Sequence, residues 1–321
     1  MIKKLRQNKS AFFSFIVLIV LYLGAAFAGF LSTYHYDDEN REFSYAPPTR
    51  VHWYDAQAGR IAPYVCAYTS SFDEYYRRIY TEDCGRKFPV RLFREGRLLS
   101  VDAPGRLYLL GADSRGRDLY SRILYGARVS LSIGLIGALI SFCIGLLIGG
   151  ISGYAGGRTD SVIMRFCEMM MMVPGFYLML ALRAALPPNL SSAQVYMAIV
   201  IILSFIGWAG IARIIRGMTL SLRERDYVLA ARTQGLPHFH IITRHVLPHT
   251  FSYAIVAIAL SIPGYILGEA GLSFIGLGIQ DPDPSWGNLL NETMNIVRIR
   301  LYPWILTPGF LIGITVICFN I

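Results

Sequence analysis

Charge is scarce in this sequence: only 16% of its 321 residues are Asp, Glu, Lys or Arg, where a soluble domain carries about a quarter. That deficit, with 54% hydrophobic residues, argues against a soluble globular protein and for an integral membrane protein. No GxSxG nucleophile elbow, HExxH helix or GxxxxGK[ST] phosphate loop occurs. The chain is therefore expected neither to cleave peptides nor to hydrolyse ATP, and no catalytic residue is assigned. The five cysteines form no CxxC and no Cys/His spacing of the zinc kind, so no metal or other cofactor is expected. Nucleic acid is not expected as a partner. The net charge of +9 fits the basic loops that membrane proteins keep in the cytoplasm.

Long apolar runs are what the sequence has. MIKKLRQNKS carries four basic residues and no acid, and an apolar run from Ala11 to Ser32 follows. It is about 22 residues long, roughly 33 Å as a helix against a ~30 Å hydrocarbon core. Ala26-Phe27-Ala28 invites a cleaved signal peptide as the rival reading, for which the run is long. Residues 33–125 are polar, and RVHWYDAQAGRIAPYVCAY patterns as short strands joined by turns. Five further apolar stretches follow: Val129–Gly153, Ser161–Leu186 with Pro174 inside, Val195–Ile211, Phe251–Leu267 continuing past Glu269, and Pro303–Ile321. The expectation is an all-α integral membrane protein of six transmembrane helices with a small mixed, mostly β, insert. Its parts are a tail and first helix at 1–32, the insert at 33–125, and a five-helix membrane domain at 126–321.

Arg213, Arg216, Arg223, Arg225, Arg232 and Arg244 stand between the fourth and fifth spans against only Glu224 and Asp226, whereas PPNLSSAQ, between the third and fourth, is uncharged. The positive-inside rule places the arginine-rich segment and both termini in the cytoplasm and the insert outside; long loops such as the insert escape the rule. Cys143, Cys167 and Cys318 fall in apolar runs. Cys66 and Cys84 share the insert, where an oxidising compartment would favour a disulfide.

The loop 220–248 reads as helix, turn, helix. Leu222, Asp226, Leu229 and Ala230 fit one helical face, and VLAAR is rich in helix formers. Gly235 supplies a left-handed cap and Pro237 bars continuation; His240–Val246 then opens a helix into the fifth span. A compact knob is expected, a docking element in which Ala230 and Ala231 let a partner's surface approach closely. His238, His240, His245 and His249 have no carboxylate or cysteine among them, so no metal is assigned there. Five residues within the spans are candidates for a translocation path. Glu168 is an intramembrane acid, which by default marks function, with pairing to Arg165 the plainer expectation. Met171, in the run EMMMM, is soft and adaptable, with core packing the plainer expectation. Pro174, like Pro263 in the fifth span, is expected to kink its helix. Arg183 either meets an anionic substrate group or snorkels to headgroups. Glu269 is expected in a hydrogen bond between helices or, second, on a peptide amine.

Ala230-Ala231, then Gly235, then Leu247-Pro248 resemble the EAA loop of ABC importer permeases, with Leu229 where that family has an acid. LGADSRGRDLYSRILYGARVSL (110–131), SLRERDYVLAARTQG (221–235), GEAGLSFIGLGIQDPDPSWGNLL (268–290) and PWILTPGFLIGITVICFN (303–320) resemble, in order, stretches of oligopeptide and dipeptide permeases, C-type subunits of the peptide/nickel group. The resemblance implies the ABC type I importer permease fold and a subunit importing oligopeptides or dipeptides across the inner membrane; nickel and other solute importers share the scaffold. It implies as partners a second homologous permease subunit, two ATP-binding subunits, an extracytoplasmic substrate-binding protein and the lipid bilayer. It also implies a coupling loop that docks an ATP-binding subunit, at Asp226, Ala230, Ala231, Arg232, Gly235, Leu247 and Pro248. The insert is longer than in most such subunits. Relatives continue past Phe319-Asn320 into a short tail, where this sequence stops at Ile321, truncated or having lost it. An ion-coupled secondary transporter, the alternative, should show internal repeats and paired intramembrane acids; no repeat is found. A membrane-anchored sensor would need one span.

Overall fold

The computed structural model describes residues 8–55, 60–74 and 78–321; Lys3, Lys4 and Arg6, used above to place the N-terminus, lie outside them. The chain divides into two compact units, 1–131 with 273–315 and 132–272 with 316–321.

The first unit opens on α1 (Lys9–Ala26), where Asn8 caps the helix by accepting from the Ala11 N–H. The insert is a four-stranded antiparallel sheet in the order β1 (His52–Asp55), β2 (Arg60–Phe72), β3 (Arg78–Arg94), β4 (Arg97–Val101). Cys66 on β2 and Cys84 on β3 are joined by a disulfide. The next helix, α2 (Leu119–Ala155), begins well before the expected Val129. Its polar first turns are anchored at the start by Asp118, whose carboxylate accepts from the Ser121 N–H at 3.0 Å, the cap a helix needs for an orphan donor.

Beyond residue 131, α2 continues into the second unit, followed by α3 (Gly157–Met172), α4 (Gly175–Ala184), α5 (Ser192–Leu222), α6 (Asp226–Thr233) and α7 (Phe251–Phe274); α8 (Thr307–Asn320) closes the chain. Among the described residues five helical stretches are long and apolar enough to cross a bilayer, Lys9–Ala26, Leu119–Ala155, Ser192–Leu222, His238–Phe274 and Pro303–Asn320. The remaining expected span, Ser161–Leu186, is not one kinked helix but the pair α3 and α4, bent by 85°. Proline explains the break: Pro174 has no N–H to give and holds Val173 extended (φ −78°, ψ 124°). Pro263, by contrast, lies inside an uninterrupted α7.

The glycine-rich run of α2 lets a neighbouring backbone come close. A Cβ on Gly145, Gly149 or Gly153 would stand 2.9, 2.4 and 2.6 Å from the carbonyl oxygens of Trp208, Ala212 and Arg216 of α5. Helices in lipid associate through such small-residue stripes, because apolar burial alone gives them no advantage over the acyl chains.

Candidate functional site

In the second unit the loop after α5 folds as a capped knob. α6 ends at Thr233 with Gln234 as its C-cap, and Gly235 follows at φ +75°. The Gly235 N–H donates to the Arg232 carbonyl at 3.0 Å and the Leu236 N–H to that of Ala231 at 3.3 Å, the paired bonds that end a helix on a left-handed residue. A short turn of helix at His238–Ile241 widens into a π turn at Ile242–Val246 and tightens at Leu247–Thr250 before α7. Pro248 sits at the start of that tight turn, where its missing N–H costs nothing.

The knob has an inner and an outer face. Val228, Ala231, Ile241, Ile242, Val246 and Leu247 are buried against Tyr154, Ile211 and Ile215. Asp226, Leu229, Ala230, Arg232, Gly235 and Pro248 are exposed, as is Phe239, at 65%. The expectation that both alanines face a partner is therefore corrected: Ala231, 4% exposed, belongs to the chain's own core, and so does Leu247. The Val228/Ala231 edge of α6 turns inward because it meets the larger apolar surface. Arg232 lays its guanidinium over the Tyr154 ring at 5.5 Å, and the Tyr154 hydroxyl lies 3.1 Å from His238 Nδ1. Ser152 donates to Asp160 at 2.6 Å and Arg216 Nε to the same carboxylate at 2.9 Å, while Arg223 reaches the Gly153 carbonyl at 3.1 Å. These bonds tie the ends of α2, α3 and α5. Asp160 was missed from sequence; its signal was a lone acid at a span boundary.

The intramembrane candidates sit as follows. Glu168 pairs with Arg165 at 3.3 Å. Met171 is exposed, with Met169 and Met172, while Met170 of the same run packs inward beside Cys167. Pro174 marks the break between α3 and α4. Arg183 is only 6% exposed, and its Nε has no partner. Glu269 is fully buried within α7.

The first unit holds a polar cavity of about 600 Å3 lined by Asp113, Arg117, Arg122, Asp281, Glu292 and Arg298 among others. Asp113 accepts from Arg117 Nε at 2.7 Å, Arg117 reaches Asp281 at 3.1 and 3.2 Å, and Arg122 reaches Asp281 at 2.7 Å. Burial alone would raise the Asp281 carboxyl, but the Arg122 and Arg117 guanidiniums hold it below its ordinary value. Burial pushes Glu292 up, opposed by hydrogen bonds from Ser114. Asp118 is pushed up to about 6 by burial, although the Ser121 and Thr33 hydroxyls favour its charged form. Two of the sequence stretches singled out above, 110–131 and 268–290, thus supply opposite sides of one ion-paired cluster.

A family model described as binding-protein-dependent transport system inner membrane component matches residues 145–321, and one described as the N-terminal TM domain of oligopeptide transport permease C matches residues 1–48. The dipeptide transport system permease protein DppC of Bacillus subtilis is 38% identical over 68% of this chain and 66% of its own length. The oligopeptide transport system permease protein OppC of Haemophilus influenzae is 40% identical over 66% of each. These two matches therefore span just under two thirds of either relative. OppC of Bacillus subtilis is 29% identical over 99% of this chain and 84% of its own. Among solved structures, a chain of the MetNI methionine ABC transporter in an inward-facing conformation aligns with a TM-score of 0.41 at 14% identity, covering 62% of this chain and 96% of that one. The chain belongs to the binding-protein-dependent transport system inner membrane components, as a C-type subunit of the oligopeptide/dipeptide ABC permeases.

Proposed function

We propose that the chain is a pore-forming subunit of an ATP-driven importer that carries oligopeptides or dipeptides across the inner membrane. The reading rests on one observation above the others: a knob braced by its own core that presents Asp226, Leu229, Ala230 and Phe239 around a glycine-capped turn. ATP hydrolysis belongs to separate ATP-binding subunits. The knob docks one of them, so that closure of the ATPase dimer drags the knob and switches the pore between inward- and outward-facing states. A second homologous permease completes the pore, and a binding protein outside delivers substrate. Both termini and 213–249 lie in the cytoplasm; the insert and the 276–302 loop face outside, where they contact the binding protein. Glu168, Met171, Pro174, Arg183 and Glu269 are the proposed path residues, of which the exposed Met171 and the buried, under-partnered Arg183 carry the most support.

The test is substrate uptake measured together with co-purification of the ATP-binding subunit. Gly235→Asp and Ala230→Asp, both at exposed positions, should abolish uptake and co-purification while leaving abundance normal. Ala231→Asp should instead lower abundance, because it places a carboxylate in the knob's core. Wild-type uptake and co-purification in Gly235→Asp and Ala230→Asp would sink the docking assignment.

A further inference from the structure

The insert holds a set of donor atoms to which the proposed function assigns no role. His52 on β1, Cys66 on β2, and Glu82 and Cys84 on β3 each offer one metal-binding atom, and the four atoms lie within 4.8 Å of one another. The sheet register brings them together. His52 pairs with Tyr64, two residues before Cys66 and so on the same face of β2. Between β2 and β3 the pairing jumps from Cys66 with Lys87 to Ala67 with Asp83. Residues 84–86 are thereby looped out of the ladder, and Cys84 is carried onto Cys66. The His52 ring stacks on Tyr64 at 5.2 Å between centroids. Its Nε2 is buried without a hydrogen bond, 3.4 Å from a Glu82 carboxylate oxygen. Cys66 is buried and Cys84 exposed, so the cluster is open on one side to a reductant or a cation.

We propose that reduction of the Cys66–Cys84 disulfide converts this cluster into a site for one divalent cation of the zinc class, held by the two thiolates, the His52 imidazole and the Glu82 carboxylate. Two sulfurs, one nitrogen and one oxygen suit tetrahedral zinc. Bonds of about 2.0–2.3 Å set such ligand atoms about 3.3–3.8 Å apart. The widest spacing here must then close by about 1 Å, a rotation of the His52 and Glu82 side chains, while the two sulfurs move apart. A two-electron thiol reductant supplies two electrons and two protons: the S–S bond breaks to two thiols and the reductant becomes a disulfide. The cation then displaces both thiol protons as two metal–sulfur bonds form. A disulfide oxidant reverses the sequence and releases the cation. The strands are therefore cross-linked either covalently or through a metal, never both.

The experiment uses the full-length chain in detergent, reduced with a phosphine and titrated with Co2+. A thiolate-to-cobalt charge-transfer absorption should saturate at one equivalent, be absent from the oxidised chain, and be bleached by Zn2+. It should vanish in the double variant Cys66→Ser/Cys84→Ser, and His52→Ala should weaken binding by at least about tenfold, a loss that even an outer-shell partner can cause. No absorption from the reduced wild type would overturn the site. So would an unchanged signal in the serine variant, which would assign it to Cys143, Cys167 and Cys318. If the serine variant cannot be purified, His52→Ala decides alone, since it keeps both cysteines: unchanged affinity refutes the site.

Discussion

The polar cluster of the first unit and the knob of the second are held by opposite means. Asp113, Arg117 and Arg122 are almost wholly buried, and their charges are balanced by one another and by Asp281. The knob has an apolar inner face, a backbone cap at Gly235, and its charges on the outside. A cluster of buried charges tolerates little change, because each removal strands a partner in low dielectric. An apolar core under an exposed face leaves that face free to vary in chemistry. The knob thus suits a surface that meets a partner, and the cluster suits a junction that must not move.

The largest expected effect tests the first half of that contrast. Asp113→Ala should destabilise the chain by about 3–5 kcal/mol, the cost of breaking a buried pair by removing one side. Thermal unfolding in detergent checks it, and a wild-type melt would mean that these pairs hold nothing together. The next effect depends on pH. Asp118, pushed up to about 6 from an ordinary 3.8, is favoured in its protonated form by folding. Its contribution is complete below about pH 4 and is lost as pH rises through about 6. The full swing is about 3 kcal/mol at 1.36 kcal/mol per pH unit. Melting curves between those limits should show wild type losing stability relative to Asp118→Asn as pH rises; parallel curves would contradict the burial argument. The smallest effect compares two glycines of nearly equal φ, Gly116 at +73° and Gly235 at +75°. A Cβ at Gly116 would meet the Asn40 carbonyl oxygen at 1.8 Å, whereas one at Gly235 meets nothing within 4 Å. Both alanine variants carry the left-handed penalty of about 1 kcal/mol, and Gly116→Ala should lose a further 1–3 kcal/mol, roughly, to overpacking. Equal melting temperatures would show that the loop around Gly116 yields as freely as the knob does.

Local rules explain what was legible. The stop at Gly235 and Pro237 was readable because a cap is set by the residue at the turn and its immediate neighbours. The spans were readable because lipid demands an unbroken apolar run. The start of α2 was misplaced by a polar first turn, whose side chains are satisfied by segments far along the chain: Arg122 is answered by Asp281. Which alanine faces inward could not be read from the face Leu222, Asp226, Leu229 and Ala230, since the choice depends on Tyr154 and Ile211 packing from other helices. The four donors of the insert escaped motif reading for a similar reason. Zinc patterns are recognised by spacing along one segment, and these donors come from three strands.

The sequence by itself determined the class of protein, the number of apolar stretches, the strand-rich insert and the capped turn, because solvent preference and backbone conformational limits act on neighbouring residues. Only the tertiary structure decided that Pro174 breaks its span into two helices at 85°, that Ala230 is outside and Ala231 inside, and that Asp113, Arg117, Arg122 and Asp281 neutralise one another. Each of these depends on which surfaces meet across long separations. Charge pairing and close packing fall off over a few ångströms in space, and sequence distance does not report that separation.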